Sequence, residues 1–183
     1  MTYNIKKSKI QLYKLRQEVT SDYWADITID AYEKAGRIQI ASDLGNWQYY
    51  WGSAGTSFKA FLTKLDIHYT AGKFGVGRFF DFQKTINLWK SEIIRNRKDE
   101  TLSAKQSRTL FDEIKNVESE APVTEIVFQQ YVYNNAVEYL KFTDYMPETV
   151  TGISPQFQKF WDTAWQAFVA ELKRELAEEL QPA

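Results

Sequence analysis

One histidine, no cysteine and a scatter of aspartates set the chemistry this chain can attempt. Without cysteine there is no disulfide, no Cys-ligated zinc, no iron–sulfur cluster and no thiol nucleophile. A lone His68 cannot build a multi-histidine metal site. Ser53 and Ser57 lie near it in sequence, but neither sits in a nucleophile elbow, and a Ser–His–acid triad is a matter of geometry. His68 therefore reads as a surface residue near the end of a helix, where the negative end of the dipole favours it. Asp22, Asp26, Asp30 and Asp43 could gather carboxylates on one sheet for magnesium-dependent phosphodiester chemistry, with Asp26 and Asp30 on one strand face and Lys34 close by. The solvated side of any antiparallel sheet carries the same residues without chemistry. The glycine-rich stretches call for no cofactor: "GSAG" lacks the Lys-Ser/Thr ending of a phosphate-binding loop, and "GKFGVG" has the wrong spacing for a dinucleotide fingerprint.

Charge offers more. Residues 1–108 carry 18 Lys and Arg against 11 Asp and Glu, whereas residues 109–183 carry 5 against 13. Such polarity can mark a binding face, or two segments that attract each other within one fold. The run "KSEIIRNRKDE", with Lys105 and Arg108 beyond it, is the best candidate for anion contact, through Arg95, Arg97 and Lys98. Those three also fall at a helix C-terminus, where cations are favoured without any ligand, and Glu92, Asp99 and Glu100 supply local counter-charge. The balance of residues favours that helix-end role. Glu113, Glu118, Glu120 and Glu125 form a short acidic sector that could imitate a phosphate backbone or simply face solvent. The binding candidates on sequence grounds are Tyr50, Arg95, Arg97, Lys98, Glu118 and Glu120.

The elements that must position these groups follow from periodicity. Lys9–Val19 alternates loosely, with Ile10 and Leu12 opposite Tyr13 and Leu15. Trp24–Tyr32 alternates Ile27, Ile29 and Ala31 against Asp26, Thr28 and Asp30. "EKAG" reads as a four-residue hairpin loop ending in glycine, "DLGN" as the next turn, and Asn46–Trp51 as a further strand. In that strand Trp47, Tyr49 and Trp51 share one face, which we expect to pack on helices, leaving Tyr50 beside Gln48 on the exposed face. After Gly55 the period changes. Phe58, Phe61, Leu62, Leu65 and Tyr69 make one helical stripe, and a second helix is expected from about Phe79 to Arg97 with Phe79 inward. Ser103 and Gln106 have capping-box spacing for a third. Pro122 suits the first position of a helix over Thr124–Phe142, "YMPETVTGIS" reads as a loop, and Ser154-Pro155 opens the last helix. The expected fold is α+β, an N-terminal antiparallel meander of three or four strands packed against about five helices. One domain is expected over residues 1–183, with the sheet at approximately 9–52 and the helices at approximately 56–180.

The 183 residues are 44% hydrophobic and 16% aromatic, enough ring area for a sizeable core. No stretch reaches the ~18 consecutive apolar residues of a membrane span, and the N-terminus has no signal-peptide pattern. A soluble, cytoplasmic protein without membrane contact is the expectation. The segment "ITIDAYEKAGRIQIASDLGNWQYYWGSAGTSFKAFLTKLD" resembles one found in small bacteriophage and prophage proteins to which no chemistry is assigned. Those read as a hairpin, then Asp-x-Gly-x-aromatic-x-Tyr-x-Trp-Gly, then a helix with Phe-Leu. The corresponding residues here are Asp43, Gly45, Trp47, Tyr49, Trp51, Gly52 and Phe61-Leu62, and "FWDTAWQAFVAEL" is similar to that group's closing helix. The resemblance implies a viral accessory role, in the host cytoplasm. With no catalytic motif in view, the leading expectation is a protein that binds a host or viral macromolecule, counter-defence such as inhibition of a CRISPR effector being one version. The alternative is a metal-dependent, nuclease-like enzyme using the sheet carboxylates. A protein partner is the first expectation, nucleic acid through the 90–108 basic run the second, and the oligomeric state stays open.

Overall fold

Alternating apolar residues commit the N-terminal third to strands, and the computed structural model shows them paired in chain order. It describes residues 2–5, 7, 9–18, 23–32, 34–120, 124–143 and 148–180, with the side chain of Glu120 outside the description. Four strands come first: β1 (Gln11–Arg16), β2 (Trp24–Tyr32), β3 (Ala35–Ser42) and β4 (Gly45–Trp51). Two short helices, α1 (Phe58–Leu62) and α2 (Ile67–Lys73), and strand β5 (Arg78–Phe80) follow. Helices α3 (Phe82–Lys98), α4 (Ala104–Glu120), α5 (Glu125–Asn135) and α6 (Val137–Thr143) precede strand β6 (Thr151–Ile153). The chain closes with α7 (Pro155–Phe160), a π-helical turn (Trp161–Trp165) and α8 (Gln166–Glu179). This is the α+β class expected. The contacts divide the chain into two compact units, residues 1–77 with 153–183, and residues 78–152.

In the first unit the strands form an antiparallel meander in the order β1-β2-β3-β4. Its register sets Ile27 opposite Ile40 and Ile29 opposite Ile38, so the four isoleucines share the buried face. Trp47 packs on Phe157 and Phe160 at 5.0 and 4.9 Å between ring centroids, and Trp51 on Phe61 at 5.4 Å. The crowded aromatic strand is thus core on one face, while Tyr50 on the other is 51% exposed. The two-residue connection between Tyr32 and Ala35 is shorter than the four-residue loop expected, because Gly36 is a paired strand residue opposite Trp51. Its glycine serves a close approach, since a Cβ there would lie 2.4 Å from the Phe58 ring.

Several expected helices are broken. The stripe from Phe58 to Tyr69 is two helices, because the Asp66 carboxylate accepts from the Tyr69 N–H at 2.9 Å and starts a new one. His68 therefore stands in the first turn of α2, at the positive end of that dipole rather than the negative end expected. In the second unit Asp81 caps α3 by accepting from the Lys84 N–H at 2.9 Å, so Phe79 lies before the helix and is exposed. Phe79 belongs instead to β5, which pairs with β6 inside the stretch expected to be a loop. The helix expected over Thr124–Phe142 is interrupted at Ala136, and Pro122, its expected first residue, lies outside the described residues. The capping box appears as expected: Ser103 Oγ accepts from the Gln106 N–H at 3.2 Å while Gln106 Oε1 accepts from the Ser103 N–H at 3.0 Å. Trp89, stacked 4.9 Å from Tyr139, centres this unit's core with Ile86, Ile114, Phe128 and Val132.

Candidate functional site

Helical spacing builds a strongly charged concave surface in the second unit. On α3, Lys90, Ile93, Ile94, Arg97 and Lys98 recur at intervals of three and four and form one stripe. On α4, Ala104, Ser107, Arg108, Phe111, Asp112, Lys115 and Glu118 do the same. The two stripes line a groove of about 640 Å³. Ile93 is buried beneath it, whereas Ile94 is 48% exposed in the middle of the α3 wall. Five cations and two carboxylates stand around this apolar strip.

The charges are unequally engaged. Lys90 pairs with Glu118 at 2.5 Å and lies 5.9 Å from the Phe111 ring centroid. The Lys90 ammonium holds the Glu118 carboxyl below its usual range, against the opposing effect of partial burial. Arg97, Lys98 and Arg108 form no ion pair within the described residues. A helix C-terminus accounts for the first two of these cations. It does not account for Arg108, which with Lys105 lies in the first two turns of α4; the first turn carries no acidic residue, and Asp112 stands one turn on from Arg108. The hairpin end of α3 and α4 therefore brings Arg97, Lys98 and Arg108 together, and only the first two have a helix end to favour them.

Of the residues expected to bind, Arg97, Lys98 and Glu118 come together in this groove. Arg95, two positions from Arg97 and so nearly opposite it around the helix, points elsewhere and lies 4.0 Å from Glu92. Tyr50 belongs to the other unit, on the exposed sheet face opposite Arg37, and the Glu120 side chain lies outside the described residues. Lys90, Ile94, Phe111 and Lys115 were missed as groove residues, although their spacing from Arg97 and Arg108 by three, four or seven was readable. The acidic sector is largely committed to structure. Glu113 accepts from the Glu138 and Tyr139 N–H groups at 3.1 and 2.8 Å and so caps α6, and Glu125 accepts from the Thr149 hydroxyl.

The sheet carboxylates are arranged poorly for a shared cation. Asp26 and Asp30 are four residues apart on one strand, roughly 13 Å at strand rise. Arg16 pairs with Asp26 at 2.7 Å and the Tyr32 hydroxyl donates to Asp30 at 2.8 Å. Asp22 lies outside the described residues, and among those described no cluster of three or more acidic or histidine side chains is placed to hold a metal. No described helix is long and apolar enough to cross a membrane.

Among curated proteins and solved structures, none matches the chain. The sequence model of a phage family, Phage_phiTE_072, matches residues 3–175, nearly the whole length and both compact units. The chain belongs to this phage family.

Proposed function

We propose that this phage protein acts by binding a macromolecule of the host or the virus, with the α3–α4 groove as its contact surface, and that it does no catalysis of its own. The observation that carries the reading is the set Arg97, Lys98 and Arg108, three cations without ion pairs among the described residues, around an exposed Ile94. Like charges held together cost stability through mutual repulsion, so a surface that concentrates them fits one selected for an anionic partner. Membership of a phage family supports a role during infection, and counter-defence, such as inhibition of a CRISPR effector, is its specific version.

The test is affinity capture from phage-infected bacteria, comparing the wild type with Arg97→Gln/Lys98→Gln/Arg108→Gln. All three positions are exposed, so the variant should melt like the wild type. We expect a specific macromolecule with the wild type and its loss with the variant. The same partner on both proteins would overturn the groove as contact surface. A purified wild type that cleaves nucleic acid with magnesium, and loses this in Asp26→Asn, would overturn the non-catalytic reading.

A further inference from the structure

We infer that the groove takes an acidic amphipathic helix of a partner protein, not a nucleic-acid backbone; this rests on the binding role proposed above. Three features of the surface discriminate between the two. A phosphate backbone is held by a broad positive field, and interrupting carboxylates weaken it. Here Asp112 and Glu118 stand among the cations, so positive charge is concentrated at the hairpin end and falls away toward Lys90. Ile94 is the second feature: an exposed aliphatic side chain flanked by Lys90, Arg97 and Lys98 gives a sugar-phosphate chain nothing to bond. It suits a Leu or Phe anchor ringed by polar contacts, the usual anatomy of a protein interface. Shape is the third. The α3 wall from Lys90 to Lys98 runs about 12 Å and the α4 wall from Ala104 to Glu118 about 21 Å, the length of a partner helix of three or four turns. Helix-in-groove recognition reads apolar anchors at i, i+3, i+4 and i+7, flanked by charges complementary to the rim. The matching partner has Asp or Glu beside those anchors, bonded to Arg97, Lys98 and Arg108, and an aliphatic or aromatic residue on Ile94.

Full-length protein labelled with ¹⁵N is titrated with two probes. One is a 16-residue stapled peptide with glutamates flanking a leucine stripe; the other is a single-stranded oligonucleotide of matched charge. We expect the peptide to shift amide resonances within 90–98 and 104–118, and to bind at least tenfold more tightly than the oligonucleotide at about 150 mM salt. Arg97→Gln/Lys98→Gln/Arg108→Gln should weaken the peptide about tenfold or more. Ile94→Ser, which leaves the charge untouched, should weaken it as well. Oligonucleotide binding at the groove with the steeper salt dependence, and unaffected by Ile94→Ser, would overturn the helix assignment and leave the binding role standing. Peptide shifts that fall outside these two segments, or no binding of either probe, would also overturn it. Failure of the binding role itself reads out separately, as no specific macromolecule captured by the wild type from infected cells.

Discussion

Trp51 and Tyr50 are neighbours in sequence with opposite burdens. Trp51 is 5% exposed, meets Tyr49, Phe58 and Phe61, and donates from its indole N–H to the Tyr69 hydroxyl at 3.0 Å. Trp51→Ala should cost about 3–5 kcal/mol in denaturant melts, and Tyr50→Ala less than about 0.5 kcal/mol. Equal costs would contradict the assignment of faces. Gly36 gives a sharper test because its reason is a single ring. Gly36→Ala should destabilise by about 1–3 kcal/mol through overpacking against Phe58, and Phe58→Leu in the same chain should recover part of that loss. Strict additivity of the two substitutions would show that the close approach is not what requires glycine. Strand faces were legible at this scale because alternation alone decides them. The reason for Gly36 was not: it rests on a contact with a residue 22 positions away, and the local signal imitated a turn.

Helix boundaries show where pattern reading stops. The stripe Phe58, Phe61, Leu62, Leu65 survives as a packed face, since all four touch the core, yet Asp66 ends the helix beneath it. Periodicity reports which side chains are inward, and capping decides where the backbone turns; a capping Asp inside a periodic run is easily read as one more polar position. The same competition moved the start of α3 from Phe79 to the residue after Asp81. Asp66→Ala should therefore destabilise by about 1 kcal/mol, as loss of a helix cap does. A stronger effect is expected at Glu113, whose two oxygens take the N–H groups of Glu138 and Tyr139 in the first turn of α6 from a different helix. Glu113→Ala should cost about 1–3 kcal/mol and Glu113→Gln less, because the amide keeps one acceptor. The pH dependence at Glu118 has a definite sign. Its carboxyl is held below the ordinary 4.5 by Lys90, so the stabilisation is present above that value and fades as pH falls through the folded-state value. In Lys90→Met this acid-side component should vanish from the melting profile, and an unchanged profile would mean the pair contributes nothing.

Across the whole molecule, the first unit is discontinuous in sequence: its sheet comes from residues before 78, and seven of the sixteen buried residues of its core cluster come from after 152. Phe157, Phe160, Trp165, Phe168 and Leu172 are all buried there, so ending the chain at Gly152 should leave the sheet face bare and the first unit unfolded. The candidate site was half legible. Arg97, Lys98 and Glu118 were singled out by type, but the grouping into a groove needed two helices side by side, which one sequence does not state. Arg95 looked equivalent to Arg97 until helical geometry turned it away, and Tyr50 was chosen for exposure and belongs to a different surface. On the binding role proposed above, the α3–α4 groove is where this phage protein meets its partner. Hydrogen–deuterium exchange on the full chain, alone and bound to whatever macromolecule it captures in infected cells, tests that most directly. New protection is expected at residues 90–98 and 104–118 and nowhere else. Protection on the outer strand faces of residues 24–51, with the groove segments unchanged, would contradict it.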